Sequence, residues 1–231
     1  MKIHQTYIFH WSLMIRFLKG GTLLDKLNRT KAALTEEESK SIIKQILSAI
    51  AHCHSHKYAH RDIKLDNIMF VNQNQDSQIK LIDFGFATKI KQCHFFQEIM
   101  GSPIYMSPQM LSNHNFNEKC DIWSLGIILY YILTCRFPYK STTFTELKEE
   151  VSNSFFSLNS LSFIKNVSQE CKKCVLRMLT YDEKLRPSAF ELLNDPWLKD
   201  FQNSHLLNDS EKYTLYTNIE LKLEYIKSLK A

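Results

Sequence analysis

The spacing of apolar positions divides the chain into stretches of different period. Residues 7–18, YIFHWSLMIRFL, are aromatic and β-branched and predict a strand. A Lys19-Gly20-Gly21-Thr22 break leads into LLDKLNR, a short helical pattern. Ile42, Ile43, Ile46, Leu47, Ile50 and Ala51 then fall on one face of a helix. Thr35-Glu36-Glu37-Glu38 ahead of them is a capping box, so this helix starts there and is expected to end near His56. Beyond Tyr58 the pattern shortens. Ile68-Met69-Phe70-Val71, a polar Asn-Gln-Asn-Gln-Asp-Ser turn, and Ile79-Lys80-Leu81-Ile82-Asp83 predict a hairpin. From Pro108 onward helices return, over 122–133, 145–151, 169–179 and 189–193, with Pro138, Pro187 and Pro196 as punctuation. After Phe201, Leu215, Ile219, Leu223 and Ile226 stand at helical spacing and predict an amphipathic helix packed on its own domain.

Composition adds limits. A chain of 231 residues with 44% hydrophobic and 23% charged residues is of one-domain size. The net charge of +5 comes from lysines spread along the chain, which does not suggest nucleic acid as a partner. The apolar stretch 122–133 contains Ser124 and Gly126 and falls short of the roughly 20 residues of a membrane span, so it reads as a buried helix. No membrane association and no secretory leader are expected. Cys171 and Cys174 form a lone C-x-x-C, better read as reduced structural thiols of a cytoplasmic protein than as a zinc or redox site. The chain has 5 glycines, where usage of about 7% would give roughly 16. None has the spacing of G-x-G-x-x-G or G-x-x-x-x-G-K-[ST], so those two phosphate cradles are excluded.

The chemistry concentrates in His60-Arg61-Asp62-Ile63-Lys64-Leu65-Asp66-Asn67, which fits H-R-D-x-x-x-x-N, and in Asp83-Phe84-Gly85 after the hairpin. Phosphoryl transfer to an alcohol needs a carboxylate beside the hydroxyl, a cation on the moving phosphate and oxygen ligands for magnesium. Asp62 can supply the first, Lys64 the second, and Asn67 with Asp83 the third. Turn-capping alone would account for Asp62 and Asp83 but would leave Lys64 and Asn67 as coincidences.

On these residues the chain resembles the eukaryotic serine/threonine protein kinase family, and the likeness continues over roughly residues 7–200. Gly101-Ser102-Pro103-Ile104-Tyr105-Met106-Ser107-Pro108-Gln109 is similar to the end of a kinase activation segment, with SPQ in place of APE. Asp121-Ile122-Trp123-Ser124-Leu125-Gly126, Arg186-Pro187-Ser188 and Asp195-Pro196-Trp197-Leu198 match later landmarks. The resemblance implies a mainly α (α+β) fold, the large C-terminal kinase lobe with small β-hairpins. It divides the chain into a small-lobe and hinge remnant (1–18), a catalytic lobe (19–200) and a tail (201–231).

It further implies ATP and Mg2+ as cofactors, a protein substrate, Asp62 as base, Lys64 on the γ-phosphate, Asn67 and Asp83 on magnesium, and a Ser102 hydroxyl bonded near Asp62. Ile15 resembles the gatekeeper, Arg16 and Leu18 the hinge positions facing adenine, and Met69 the floor of the adenine site. Glu98 would stand in for an activation phosphate clasped by Arg61, as in kinases similar to the calcium-dependent group. Asp66 matches a position selecting basic substrate residues, while Thr22 and Tyr131 occupy two other positions of that acidic set, which implies a weak basic preference. Gln109 would give Arg186 a neutral hydrogen bond where the family's Glu gives a charged one.

The glycine-rich loop, the strand lysine and its helix glutamate do not occur in these residues. The leading expectation is an incomplete serine/threonine kinase chain with impaired activity. A pseudokinase-like protein-binding module and a structural domain carrying relic motifs are the alternatives. No D-x-[DN]-x-[DN]-G loop is present, so a regulatory protein partner or a further segment would have to supply any calcium control.

Overall fold

The computed structural model describes residues 18–74, 77–90, 101–112, 116–141, 143–153, 161 and 164–199. The strand expected over 7–18 (Leu18 aside), Ile15, Arg16, Glu98 and the amphipathic tail lie outside them. Strand β1 (Gly21–Thr22) runs into helix α1 (Leu23–Thr30), and helix α2 (Glu36–Ser55) follows. Both helices open with a reciprocal box: Thr22 with Asp25, and Thr35 with Glu38 as the sequence predicts. Helix α2 stops at His56, where the chain turns into β2 (Tyr58–Ala59).

Strands β3 (Ile68–Phe70) and β4 (Ile79–Leu81) form the predicted antiparallel hairpin, with Ile68 opposite Leu81 and Phe70 opposite Ile79. Gly21–Thr22, read from the sequence as a break, adds a third strand by pairing with Phe70 and Met69. Strand β5 (Thr88–Lys89) pairs with β2 as a separate ribbon. Two-residue strands of this kind carry no period of their own; the pairing comes from partners dozens of residues away.

The second half is helical: α3 (Pro108–Leu111), α4 (Cys120–Thr134), α5 (Phe144–Asn153), α6 (Gln169–Met178), α7 (Ala189–Leu193) and α8 (Pro196–Lys199). Helix α4 is apolar on every side, and Ile122, Trp123, Leu125, Ile127, Ile128 and Leu129 are fully buried. A helix apolar all round belongs inside a protein or a membrane, and α4 is inside, with α2 and α6 packed on it. No described helix is long and apolar enough to cross a membrane. Gly126 is the contact point with α6. A Cβ there would come within 2.8 Å of Leu179 Cδ2 and 2.9 Å of Met178 Cβ, so the close approach of the two helices depends on its absence.

Glu36 ties the helices together from the N-terminus of α2. It accepts from Ser168 N (2.7 Å), Ser168 Oγ (2.6 Å) and Trp197 Nε1 (2.8 Å). Burial pushes its carboxyl up, but these bonds outweigh that and hold its pKa below the usual value. Cys171 and Cys174, one turn apart on α6, are fully buried, and burial pushes both thiols up, which makes them inert packing groups.

Candidate active site

His60 to Asn67, the stretch that fits H-R-D-x-x-x-x-N, lies between β2 and β3 on a backbone bent by Arg61, whose φ of 68° is left-handed. Such a conformation costs a non-glycine residue roughly 1–2 kcal/mol and persists only where neighbours impose it. Here Asp121, fully buried at the start of α4, imposes it. Its Oδ1 accepts from Arg61 N and its Oδ2 from His60 N, both at 2.8 Å, and Oδ2 also meets His54 Nε2 at 2.9 Å. Burial pushes the Asp121 carboxyl up, yet the bond and charge of His54, the charge of His60 and the His60 N–H together hold it below the usual carboxylate range. Arg61 Nε donates to Phe86 O at 2.6 Å, which links the loop to the segment after Asp83.

Asp62 is 5% exposed, and among the described residues its carboxylate is met by Lys64, Asn67 and Ser102. Lys64 Nζ is 2.8 Å from its Oδ2. Asn67 Nδ2 donates to the Asp62 carbonyl at 2.8 Å and to Oδ2 at 3.1 Å. Ser102 meets Oδ1 through its backbone N–H at 3.4 Å, whereas the resemblance had named its hydroxyl. A carboxylate steered by a lysine, an amide and a backbone N–H is fixed in direction, as a base beside an incoming hydroxyl has to be.

The hairpin brings Asp83 to the same place. Ile82 N donates to Asn67 O at 2.9 Å, directly beside the Ile68–Leu81 pair, so Asp83 follows one residue beyond the contact. Asp83 is exposed, with φ 57°, and its Oδ1 accepts from Gly85 N at 3.1 Å. Asn67 spends its amide nitrogen on Asp62, which leaves Oδ1 as the end available to a cation. An amide oxygen and a carboxylate from adjacent loops form a hard-oxygen set of the kind magnesium takes together with phosphate and water, so the residues present fit that ion.

Met69 occupies the middle of β3, opposite Thr22, at 9% exposure, and Leu18 is half-buried where the described chain begins. Asp66 is exposed at the surface of the 3-10 turn Leu65–Asn67, against which α1 packs. Thr22 is committed to its capping box, donating N–H to Asp25 Oδ2 at 2.8 Å and accepting Asp25 N at 3.0 Å.

Residues 4–198 match the profile of the protein kinase domain. The chain belongs to the protein kinase family. Two calcium-dependent protein kinases named number 5 resemble it. The Plasmodium berghei protein is 34% identical over 191 residues, 83% of this chain and 34% of its own length. The Plasmodium falciparum protein is 33% identical over 195 residues, 84% of this chain and 34% of its own. The chain thus spans about a third of the length of these curated relatives. As a kinase large lobe, its mainly α fold with small hairpins is the expected one. The contributions of Asp121 and His54 were not assigned from the sequence, although an aspartate opening an otherwise apolar helix was the available signal: a carboxylate buried there has to be bonded to something.

Proposed function

We propose that the chain is a serine/threonine protein kinase that transfers the γ-phosphoryl group of ATP to protein hydroxyls in the cytoplasm. The observation that supports this most is the 2.8 Å contact of Lys64 with Asp62. A carboxylate and an ammonium side by side are what an alcohol and a phosphoryl group need when they meet. In this reading Asp62 Oδ2 takes up the hydroxyl proton as the oxygen attacks phosphorus, and Lys64 turns to the phosphoryl oxygens. Asn67 and Asp83 hold magnesium, which neutralises charge on the phosphates. In this reading Leu18 and Met69 would border the adenine.

Transfer by the 231 residues alone is expected to be slow. The glycine-rich loop and strand lysine that would hold the other phosphates are not in this sequence, and one lost preorganised donor costs about 100- to 1000-fold. Any calcium response of the kind the relatives' names denote would have to be supplied by a regulatory protein partner or a further segment. The purified chain, given Mg-ATP labelled on the γ-phosphate and a mixed protein acceptor, is expected to form phosphoserine and phosphothreonine, and Asp62→Asn to abolish the label. Phosphotyrosine, or label that persists in Asp62→Asn, overturns the reading. Absence of any label, with protein binding retained, would favour the non-catalytic binding module.

A further inference from the structure

Helix α1, the start of α2 and the turn that follows β3 line a cavity of about 390 Å³, and none of its lining residues belongs to the Asp62 site. Its walls are set by the fold. Gly20 N donates to Phe70 O at 3.1 Å and Lys19 N to Val71 O at 3.0 Å, which pins the end of β3 to the chain entering β1. A Cβ on Gly20 would collide with Asn72 O and Phe70 Cβ, so this close approach needs glycine. Glu38 is held by Thr35, whose N–H and hydroxyl both donate to its Oε2 at 3.0 Å. In the turn, Asn72 N donates to Ser77 Oγ at 3.0 Å and Asn74 N to Asn72 Oδ1 at 2.9 Å.

The lining holds donors that the fold does not use up. Lys26 and Arg29 are three residues apart on α1 and share the face that meets the cavity. Lys26 Nζ meets Glu38 Oε1 at 3.5 Å and stands 5.4 Å from the centre of the Phe70 ring, which leaves ammonium hydrogens over. Arg29 donates Nε to Asp25 O and Nη2 to Gly20 O, each at 3.3 Å, and its Nη1 has no partner among the described residues. The exposed Gln73 amide has none among them either.

We infer that this cavity binds a small hydroxylated monocarboxylate of the size of a sugar acid, with its carboxylate on Arg29 and Lys26 and its hydroxyls on the amides of 72–74. The site goes beyond phosphoryl transfer and does not depend on it.

Charge selects the acid. The lining carries Lys26 and Arg29 against Glu38, and the nearby Asp25 carboxylate lies outside it, bound to Thr22 N at 2.8 Å. With Glu38 committed to Lys26 and Thr35, one positive charge is left, and one carboxylate balances it. A phosphomonoester carries close to two negative charges at neutral pH and brings the second against Glu38. A guanidinium with two free N–H groups takes a carboxylate through parallel bonds. Amide side chains donate and accept together, as a hydroxyl does, so Asn72 to Asn74 suit a hydroxylated body better than an apolar one. The volume lies within the range of small-molecule sites.

The test is calorimetric titration of the 231-residue chain with glucuronate, glucose, glucose 6-phosphate and benzoate, each with and without Mg-ATP. Glucuronate is expected to bind at one site with a Kd below about 1 mM, about 10-fold tighter than the other three, with Mg-ATP leaving that Kd unchanged. Arg29→Gln is expected to weaken glucuronate about 10-fold, the loss of a charge-assisted pair. Gln73→Ala is expected to weaken it about 3-fold, the loss of one neutral hydrogen bond, with the thermal melt unmoved. That exposed side chain holds nothing else among the described residues, so the second variant decides even where Arg29→Gln fails to fold. Glucose, glucose 6-phosphate or benzoate binding as tightly as glucuronate overturns the proposal. So does displacement by Mg-ATP, a Kd that Gln73→Ala leaves unchanged, or no saturable binding at all. Because the readout is binding alone, failure here leaves the kinase reading standing, and failure of that reading leaves this one open to the same titration.

Discussion

Arg186 Nη2 donates to Gln109 Oε1 at 3.0 Å, and Gln109 Nε2 donates in turn to the Tyr181 carbonyl at 2.8 Å. The guanidinium is fully buried over the Trp123 ring, 5.1 Å from its centroid, and its other bonds run to the carbonyls of Thr180, Lys119 and Tyr181. Burial pushes its pKa down to about 10, partly offset by the charge of Glu183. A glutamate at 109 would strengthen the bond to Arg186 but place a second acceptor against the Tyr181 carbonyl. The glutamine satisfies both neighbours.

The two terms in that exchange are of similar size. Charging one hydrogen bond gains about 1 kcal/mol, and losing the amide donor costs about the same. Gln109→Glu is therefore expected to shift the melting temperature by no more than about 3 °C, whereas Gln109→Leu, which takes one bond from Arg186 and one from the Tyr181 carbonyl while leaving their own contact in place, loses about 2 kcal/mol and roughly 4–8 °C. Calorimetry of the two variants checks this. A large rise with glutamate would show that the amide donor contributes nothing.

Asp121 sets the response to acid. Its folded-state pKa lies below that of the unfolded chain, about 3.9, so its stabilisation is complete above roughly pH 4 and fades as pH falls through the folded value. Asp121→Asn keeps the shape but turns an N–H group toward the donors of His60 or Arg61. Because it breaks a buried charged network that also imposes the left-handed Arg61, it is expected to cost about 3 kcal/mol or more. Urea melts between pH 3 and pH 7 should show wild type losing stability toward the acid end and the variant, already weakened, losing less. Parallel pH curves for the two proteins would remove Asp121 from the account.

What the chain discloses before folding is whatever is decided within a few residues. The Thr35–Glu38 box and the 68–81 hairpin are local, and spacing alone places them; the Lys64 contact with Asp62 is local too, but the spacing points Lys64 at phosphate rather than at Asp62. The features that hold the loop in place are long-range. His54 and Asp121 are 67 residues apart, Gln109 and Tyr181 72, Glu36 and Trp197 161. No periodicity records such pairs, because each is chosen by the packing of elements that are themselves only locally encoded. The strands β1, β2 and β5 escape notice for the same reason.

Gly101 joins the two halves of the site, and its φ of 109° is open to glycine alone at little cost. A Cβ at this position would stand 3.2 Å from Asp62 Oδ1 and 3.3 Å from the Arg61 carbonyl. An alanine therefore cannot sit still: either residue 101 rotates away and withdraws the Ser102 N–H, or the Asp62 carboxylate is pushed off its Lys64 contact. Stability should suffer by only about 1–2 kcal/mol, the ordinary charge for a left-handed non-glycine residue. Catalysis should suffer too, because the Asp62 carboxylate has to give by a few tenths of an ångström, a fraction of the displacement of about 1 Å that costs on the order of 100-fold in rate. Gly101→Ala is thus expected to lower kcat by roughly 3- to 10-fold while leaving the KM for ATP close to its original value, since the nucleotide side of the site is untouched. Steady-state kinetics beside a thermal melt separates the two effects. A kcat within two-fold of wild type in a folded variant would mean that Asp62 is positioned without help from the activation segment.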